Sequence, residues 1–261
     1  MRTYKKRLQT FAVFSVLCVV LFSACVTTPK KENNDQRKAE AHYKLGYAYL
    51  TDNRLKKAYV EFQTVLNLEP RNKQALNALG LITSSPGFKE YKEAVKYFNR
   101  AISIDPNYSE AMNNLGAAYV NMGKWDEGIK YFRRALKNPV YAEPESAYYN
   151  IAYAQYMKGD YAGAVITLKG TISRYPEFPG SYYVLGLVYI KQGKVQDAID
   201  EFNKALKIVP EYAGVLWELA NAYLRQGENE EALIHFRKII DSGSDDERSR
   251  KALEYIELLR D

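Results

Sequence analysis

The chain has 261 residues, with 37 Lys and Arg against 31 Asp and Glu, a formal net charge of +6 and only two cysteines. Four of the cations, Arg2, Lys5, Lys6 and Arg7, fall in residues 1–24, which hold no acid; without that segment 33 cations remain against 31 acids, a net of +2. Such a balance gives no electrostatic footprint for nucleic acid, and with both cysteines, Cys18 and Cys25, near the N-terminus the body holds no disulfide and no thiol metal site.

The basic start is followed by residues 11–22, apolar apart from Ser15 and too short for a comfortable membrane span, so residues 1–24 read as a secretory signal. Ser23 and Ala24 then place small residues before Cys25, which resembles the lipobox of bacterial lipoproteins, although Phe22 stands where leucine is commoner. The resemblance implies cleavage after residue 24 and a covalent diacylglycerol and acyl lipid, palmitate included, on Cys25, with no other cofactor and no metal. An uncleaved signal anchor fits the same basic flank and apolar run. Val26, in place of aspartate, implies by the enterobacterial sorting rule an outer-membrane protein on the periplasmic face. Residues 25–38 are polar and charged without a periodic apolar face, and read as the lipidated N-terminus and a flexible tether.

From residue 39 a unit of mostly 34 residues recurs, in segments 39–72, 73–108, 109–144, 145–178, 179–212 and 213–241. Leu45, Gly46, Tyr49, Ala58 and Phe62 mark the first; Leu115, Gly116, Tyr119, Gly128 and Phe132 mark the third; Leu185, Gly186, Tyr189, Ala198 and Phe202 mark the fifth. These positions match the tetratricopeptide (TPR) pattern of two antiparallel helices per repeat. The resemblance implies an all-α, right-handed superhelix of six TPR units, closed by a capping helix within residues 242–261 that packs Ala252, Leu253, Ile256 and Leu259.

Each signature position has a physical reason. Gly46 and its equivalents face Ala58 and its equivalents where the two helices approach most closely. Asn53, Gly123, Gly159, Gly193 and Gly227 recur where a left-handed residue must reverse the chain. Glu69-Pro70, Asp105-Pro106 and Val209-Pro210 stop second helices, because proline disfavours helical geometry in the residue before it. Two repeats break the spacing: the second has two extra residues around Ser84-Ser85-Pro86-Gly87, and the third has two around Asn138-Pro139-Val140-Tyr141 and Pro144.

No catalytic constellation is visible. The only histidines, His42 and His235, fall in the first and last repeats and read as structural or surface residues. The informative surface is the groove lined by first helices. Counting from Leu45 puts Tyr43, Asn77, Asn113, Tyr149, Tyr183 and Trp217 at one inward position. Tyr47, Tyr153 and Asn221 fall at the next, beside Leu81, Ala117 and Leu187, and Tyr156 lies one turn further on. Acids and bases are scarce at these positions, which favours a ligand held by stacking, apolar contact and amide hydrogen bonds, with Asn77 and Asn113 bonding a partner backbone. Tyrosines that merely fill a tightly wound inner face would leave the same pattern, and solvent exposure separates the two.

The run Asn113-Asn114-Leu115-Gly116, then Gly123-Lys124-Trp125, Tyr131-Phe132, the Asn138 to Pro144 junction and Asn150, together with the lipobox, resembles the type IV pilus biogenesis and stability lipoproteins, the PilF/PilW group. That resemblance implies a non-enzymatic, lipid-anchored pilotin. It would bind secretin subunits through its concave groove and promote their outer-membrane assembly in type IV pilus biogenesis, with no nucleic acid and no small-molecule substrate. A general periplasmic TPR scaffold docking cell-wall enzymes, proteases or polysaccharide-export machinery is the alternative. An enzyme or glycan binder using the tyrosines is a third reading.

Overall fold

The computed structural model describes residues 29–243 and 247–259; the signal sequence, Cys25 and Val26 lie outside them. The described residues are helical, and no helix among them is long and apolar enough to cross a membrane. The chain divides into two compact units, Met1–Ala75 and Leu76–Asp261.

In the first unit α1 (Pro29–Thr51) and α2 (Leu55–Leu68) pack as an antiparallel pair. Asn53 makes the turn between them in the left-handed conformation, φ 56°. One expectation is corrected here: residues 29–38, read as a flexible tether, form the first turns of α1. Lys30, Lys31, Glu32, Gln36, Arg37 and Lys38 are good helix formers and make up six of these ten residues, and Pro29 suits the first turn, where its missing N–H is no loss. Lack of an apolar stripe made the segment look unstructured, but the helix is nucleated by Ala39 and the residues after it, and propagates outward at little cost.

The element α3 (Lys73–Ser84) opens the second repeat. It is followed by α4 (Tyr91–Ile104), α5 (Ser109–Asn121), α6 (Trp125–Ala135), α7 (Pro144–Lys158), α8 (Tyr161–Arg174), α9 (Pro179–Lys191), α10 (Val195–Ile208), α11 (Ala213–Gln226), α12 (Asn229–Asp241) and α13 (Glu247–Leu258). In the second unit each helix from α5 to α13 packs on the one before it, so the core is a continuous seam. Phe98, Phe132, Leu168, Phe202 and Phe236 recur along that seam, each almost wholly buried. The close helix approach has a different partner from the one the pattern suggests. A Cβ added at Gly80 would lie 2.4 Å from Phe98, and one at Gly186 would lie 2.4 Å from Phe202, so these glycines make room chiefly for a phenyl ring one turn beyond the alanine. In the third repeat Gly128 replaces that alanine, and its carbonyl also comes within 3.0 Å of the Cβ position at Gly116.

Gly123, Gly159, Gly193 and Gly227 all have φ between 73° and 85°, as the sequence requires. In the second repeat the left-handed residue is Lys89, φ 55°, at the end of the longer loop. Its N–H donates to the Ser85 carbonyl, and the next N–H, of Glu90, donates to Thr83. Asp105 and Val209, each before a proline, cap their helices with extended backbone.

The third repeat ends its second helix early, at Ala135. Asn138 organises the junction beyond it: its Nδ2 donates to the Asn107 carbonyl and to Ser109 Oγ, each at 3.1 Å, and its Oδ1 accepts from the Val140 N–H. Tyr141 is buried, and Pro144 is the opening residue of α7. In α13, Ala252 and Ile256 are buried and Leu259 packs beside them, but Leu253 is half exposed. Tyr255 takes the packing role expected of Leu253, stacking on Phe236 at 5.1 Å.

Candidate functional site

Five helices supply the predicted inward residues of the second unit, and their chemistry changes along the array. On α3, α5 and α7 it is amide. Asn114 donates to Asn77 Oδ1 at 3.0 Å, and Asn150 donates to Asn113 Oδ1 at 3.0 Å, so each neighbouring pair of first helices is joined by a side-chain bond. The carbonyl oxygens of Asn77 and Asn113, expected to face a partner backbone, are engaged within the protein. The reason is register. The residue one past each inward position points back at the preceding repeat, and there the sequence places asparagines.

On α7 and α9 the chemistry is aromatic. Tyr149 stacks on Tyr153 at 6.2 Å and 14°, Tyr153 meets Tyr156 at 6.2 Å, and Tyr156 meets Tyr161 at 6.1 Å. Tyr183 lies 5.5 Å from Tyr212, and Phe178 stands edge-on to Tyr149 at 5.8 Å. All of these rings are partly exposed. Burial raises the phenol pKa of Tyr149 and Tyr183 well above the ordinary tyrosine range, so both stay protonated and can donate a hydrogen bond to an incoming acceptor. Gly180 lets α9 approach α7, since a Cβ there would touch the Tyr149 ring at 3.0 Å.

Two members of this aromatic surface escaped the sequence pattern. Phe178 and Tyr212 are the N-cap residues of α9 and α11, each two residues after the proline that ends the preceding helix. The recurring spelling Pro, any residue, aromatic was the available signal. A third omission is Glu218 on α11, a half-buried carboxyl whose pKa is raised by burial, against the influence of Arg225, Arg248 and Lys191. Its charge is felt at Tyr183 and Tyr156. The expectation of a surface poor in charge is therefore corrected at this end. Glu218 occupies the same register as Asn114 and Asn150, the position that counting from Leu45 passed over.

Trp217 sits apart from these tyrosines, edge-on to Phe236 at 5.5 Å and to Tyr255 at 5.9 Å, so it packs the capping helix. Asn221 turns its amide onto the Trp217 carbonyl of its own helix at 2.8 Å. Leu187 is buried in the core, whereas Leu81 is exposed.

In the first unit Tyr43 stands edge-on to Phe62 at 5.5 Å and lines a cleft of about 410 Å³ with Gln36, Glu40, Glu69, Asn72 and Gln74, and Tyr47 is 56% exposed. His42 contacts Glu61 at 2.6 Å, while His235 is buried against Tyr223, with rings 5.6 Å apart and nearly parallel. Desolvation pushes the His235 pKa down to about 4, which keeps the ring neutral. Both histidines thus have packing or pairing roles.

Helix pairs of this kind, stacked through a glycine and phenylalanine seam, define a repeat scaffold built for macromolecular contact. Tetratricopeptide-repeat models match residues 39–72, 113–182 and 215–242, and a TPR-repeat model matches residues 89–123 and 186–227. The chain belongs to the tetratricopeptide-repeat family.

Among individual proteins, tetratricopeptide repeat-containing protein trd-1 of Caenorhabditis elegans is 32% identical over 106 residues, which are 41% of this chain and 14% of that protein. Type IV pilus assembly protein PilF of Pseudomonas aeruginosa is 23% identical over 145 residues, 54% of this chain and 57% of its own length. The chain thus spans less than two thirds of both. The crystal structure of PilW, a widely conserved type IV pilus biogenesis factor, superposes with a TM-score of 0.68 at 24% identity, over 82% of this chain and 98% of PilW. The structure of Pseudomonas aeruginosa PilF superposes at 0.65 with 15% identity, over 84% and 97%. At these identities the likeness is one of fold.

Proposed function

We propose that the protein is a lipid-anchored adaptor of type IV pilus biogenesis, whose tyrosine-lined face on α7 and α9 holds an extended or helical segment of a secretin subunit. The observation that carries this reading is the set of partly exposed, mutually stacked tyrosines, Tyr149, Tyr153, Tyr156 and Tyr183, with Tyr212 beside them. Aromatic rings held in place by their neighbours bind with little loss of side-chain freedom, and they dominate interface energetics where a partner excludes water. Similarity to PilW and PilF along nearly their whole structures supports the pilus setting. The lipobox-like Ser23-Ala24-Cys25 supports an acyl anchor on Cys25, and Val26 supports the periplasmic face of the outer membrane.

The test is affinity capture from membranes with the intact protein, Cys25→Ala, and Tyr149→Ala combined with Tyr183→Ala. Secretin subunits should co-purify with the intact protein and be lost with the tyrosine double variant, while its helical content is kept. Normal secretin assembly in cells carrying that double variant would sink the groove assignment. Co-purification of cell-wall or export proteins in place of a secretin would favour the general scaffold. Loss of membrane association in Cys25→Ala tests the anchor separately.

A further inference from the structure

The helix α6 and the turn after it carry Lys130, Arg133, Arg134 and Lys137, spaced so that all four share one helical face. None of them forms an ion pair among the described residues. Arg134 lies over the Tyr131 ring at 5.2 Å, an arrangement that leaves guanidinium edges available. Asp126, the acid that lines the same cleft, is taken by Lys158 at 2.6 Å. Four cations crowded onto one face repel one another, a cost that an anionic partner removes.

These cations line a cavity of about 830 Å³. Its apolar lining is Met112 and Ile129, and Pro106 and Asn107 meet Asn138 and Pro139 at its rim. The two sides of the rim are fixed to each other, because the Asn138 amide bonds the Asn107 carbonyl and Ser109 Oγ. Thus the two-residue irregularity of the third repeat builds the rim of this cleft. The cleft shares no lining residue with the tyrosine surface.

We propose that this cleft is a second docking site, for an acidic protein segment in extended conformation. A single phosphate or carboxylate is too small to fill the volume or to meet four cations. Lys130 and Lys137 are seven positions apart, about 10 Å with the helical rise carried on through Leu136, whose backbone past the end of α6 is still right-handed helical, and three residues of extended chain span that at about 3.3 Å each. Acidic residues at alternate positions share one face of such a segment, about 6.6 Å apart, and present carboxylates to Arg133 and Lys137, while their methylene stems cover Met112 and Ile129. Arginine suits this role because its planar fork takes a carboxylate in bidentate fashion.

The probe is a labelled heptapeptide that alternates glutamate with leucine, titrated against the full chain by fluorescence anisotropy, with its glutamine counterpart as control. Binding to the glutamate peptide should weaken with added salt, and Arg133→Glu combined with Lys137→Glu should lower the affinity about tenfold or more. Lys130→Gln, a milder change, should give a smaller loss. Unchanged circular dichroism secures the fold of each variant. Tyr149→Ala with Tyr183→Ala should leave peptide binding intact, so the cleft and the tyrosine surface fail independently. Equal binding of the two peptides, or no effect of the charge reversal, overturns the proposal. It is also overturned if the chain ignores the peptide but binds vesicles of phosphatidylglycerol through these cations, or if the charge reversal abolishes only self-association.

Discussion

The two halves of the second unit use one register for opposite purposes. Along α3 and α5 the inward positions hold Asn77 and Asn113, each accepting from the asparagine one place past the inward position of the next repeat. From Tyr149 onward the same position holds aromatic rings that touch but leave faces open. Each such bond occupies the Oδ1 of Asn77 or Asn113 and holds the side chain in place, and an amide offers a partner far less apolar area than a ring. A half-exposed tyrosine still has apolar area to bury. Binding capacity is therefore concentrated toward the C-terminal half, while the asparagine half serves spacing.

The sharpest way to break this contrast is to attack the core beneath both halves. Phe98→Ala and Phe202→Ala should each cost about 3 to 5 kcal/mol in urea denaturation, since both rings are fully buried in the same seam. A large inequality would mean that the halves differ in packing as well as in surface. Next, Tyr149→Ala with Tyr183→Ala should weaken secretin-segment binding by about a hundredfold, and Asn77→Ala should leave it within about twofold, as read by calorimetric titration.

A pH effect near neutrality is expected in the aromatic half. His235 titrates near 4 in the folded chain against an ordinary value of 6.5, so the unfolded chain takes up the proton first. Its contribution to stability is complete above pH 6.5 and declines as pH falls toward 4, by about 3 kcal/mol. Thermal melts across this range should show that slope, flattened in His235→Phe, which keeps the stack on Tyr223 without a titrating nitrogen.

Two smaller effects refine the other half. Asn113→Ala leaves the Asn150 amide without its partner and should cost about 1 kcal/mol. Lys89→Gly should stabilise by about 1 kcal/mol, because lysine holds a left-handed conformation there that glycine adopts freely. A destabilised Lys89→Gly would show that the long loop of the second repeat depends on the lysine side chain.

The repeat was legible because its constraints are local. A small residue at the close approach of paired helices, a left-handed residue before the second helix and a proline after it sit at fixed sequence spacing, although the ring that fills the space at the glycine was not read from it. Lys89 broke the rule in identity while keeping the geometry, so only the backbone angle reveals it. The tyrosines of α7 and α9 were countable from Leu45, but Phe178, Tyr212 and Glu218 were not, since they enter the surface from helix starts and from the register beside the counted one. Leu253 and Tyr255 exchanged roles for a related reason: hydrophobicity marks a stripe without saying which edge of it faces the neighbour. The Oδ1 atoms of Asn77 and Asn113 looked unengaged because a pairing between repeats, 37 residues apart, is invisible within any one of them.

The early start of α1 has a mechanical consequence. A lipid on Cys25 would have only Val26, Thr27 and Thr28 between it and a helix that runs unbroken from Pro29 to Thr51. About ten helical residues make a strut of about 15 Å that resists bending, where a disordered stretch of equal length would be a slack leash. With a lipid on Cys25, that strut and the first helix pair would tilt together, since α1 belongs to both.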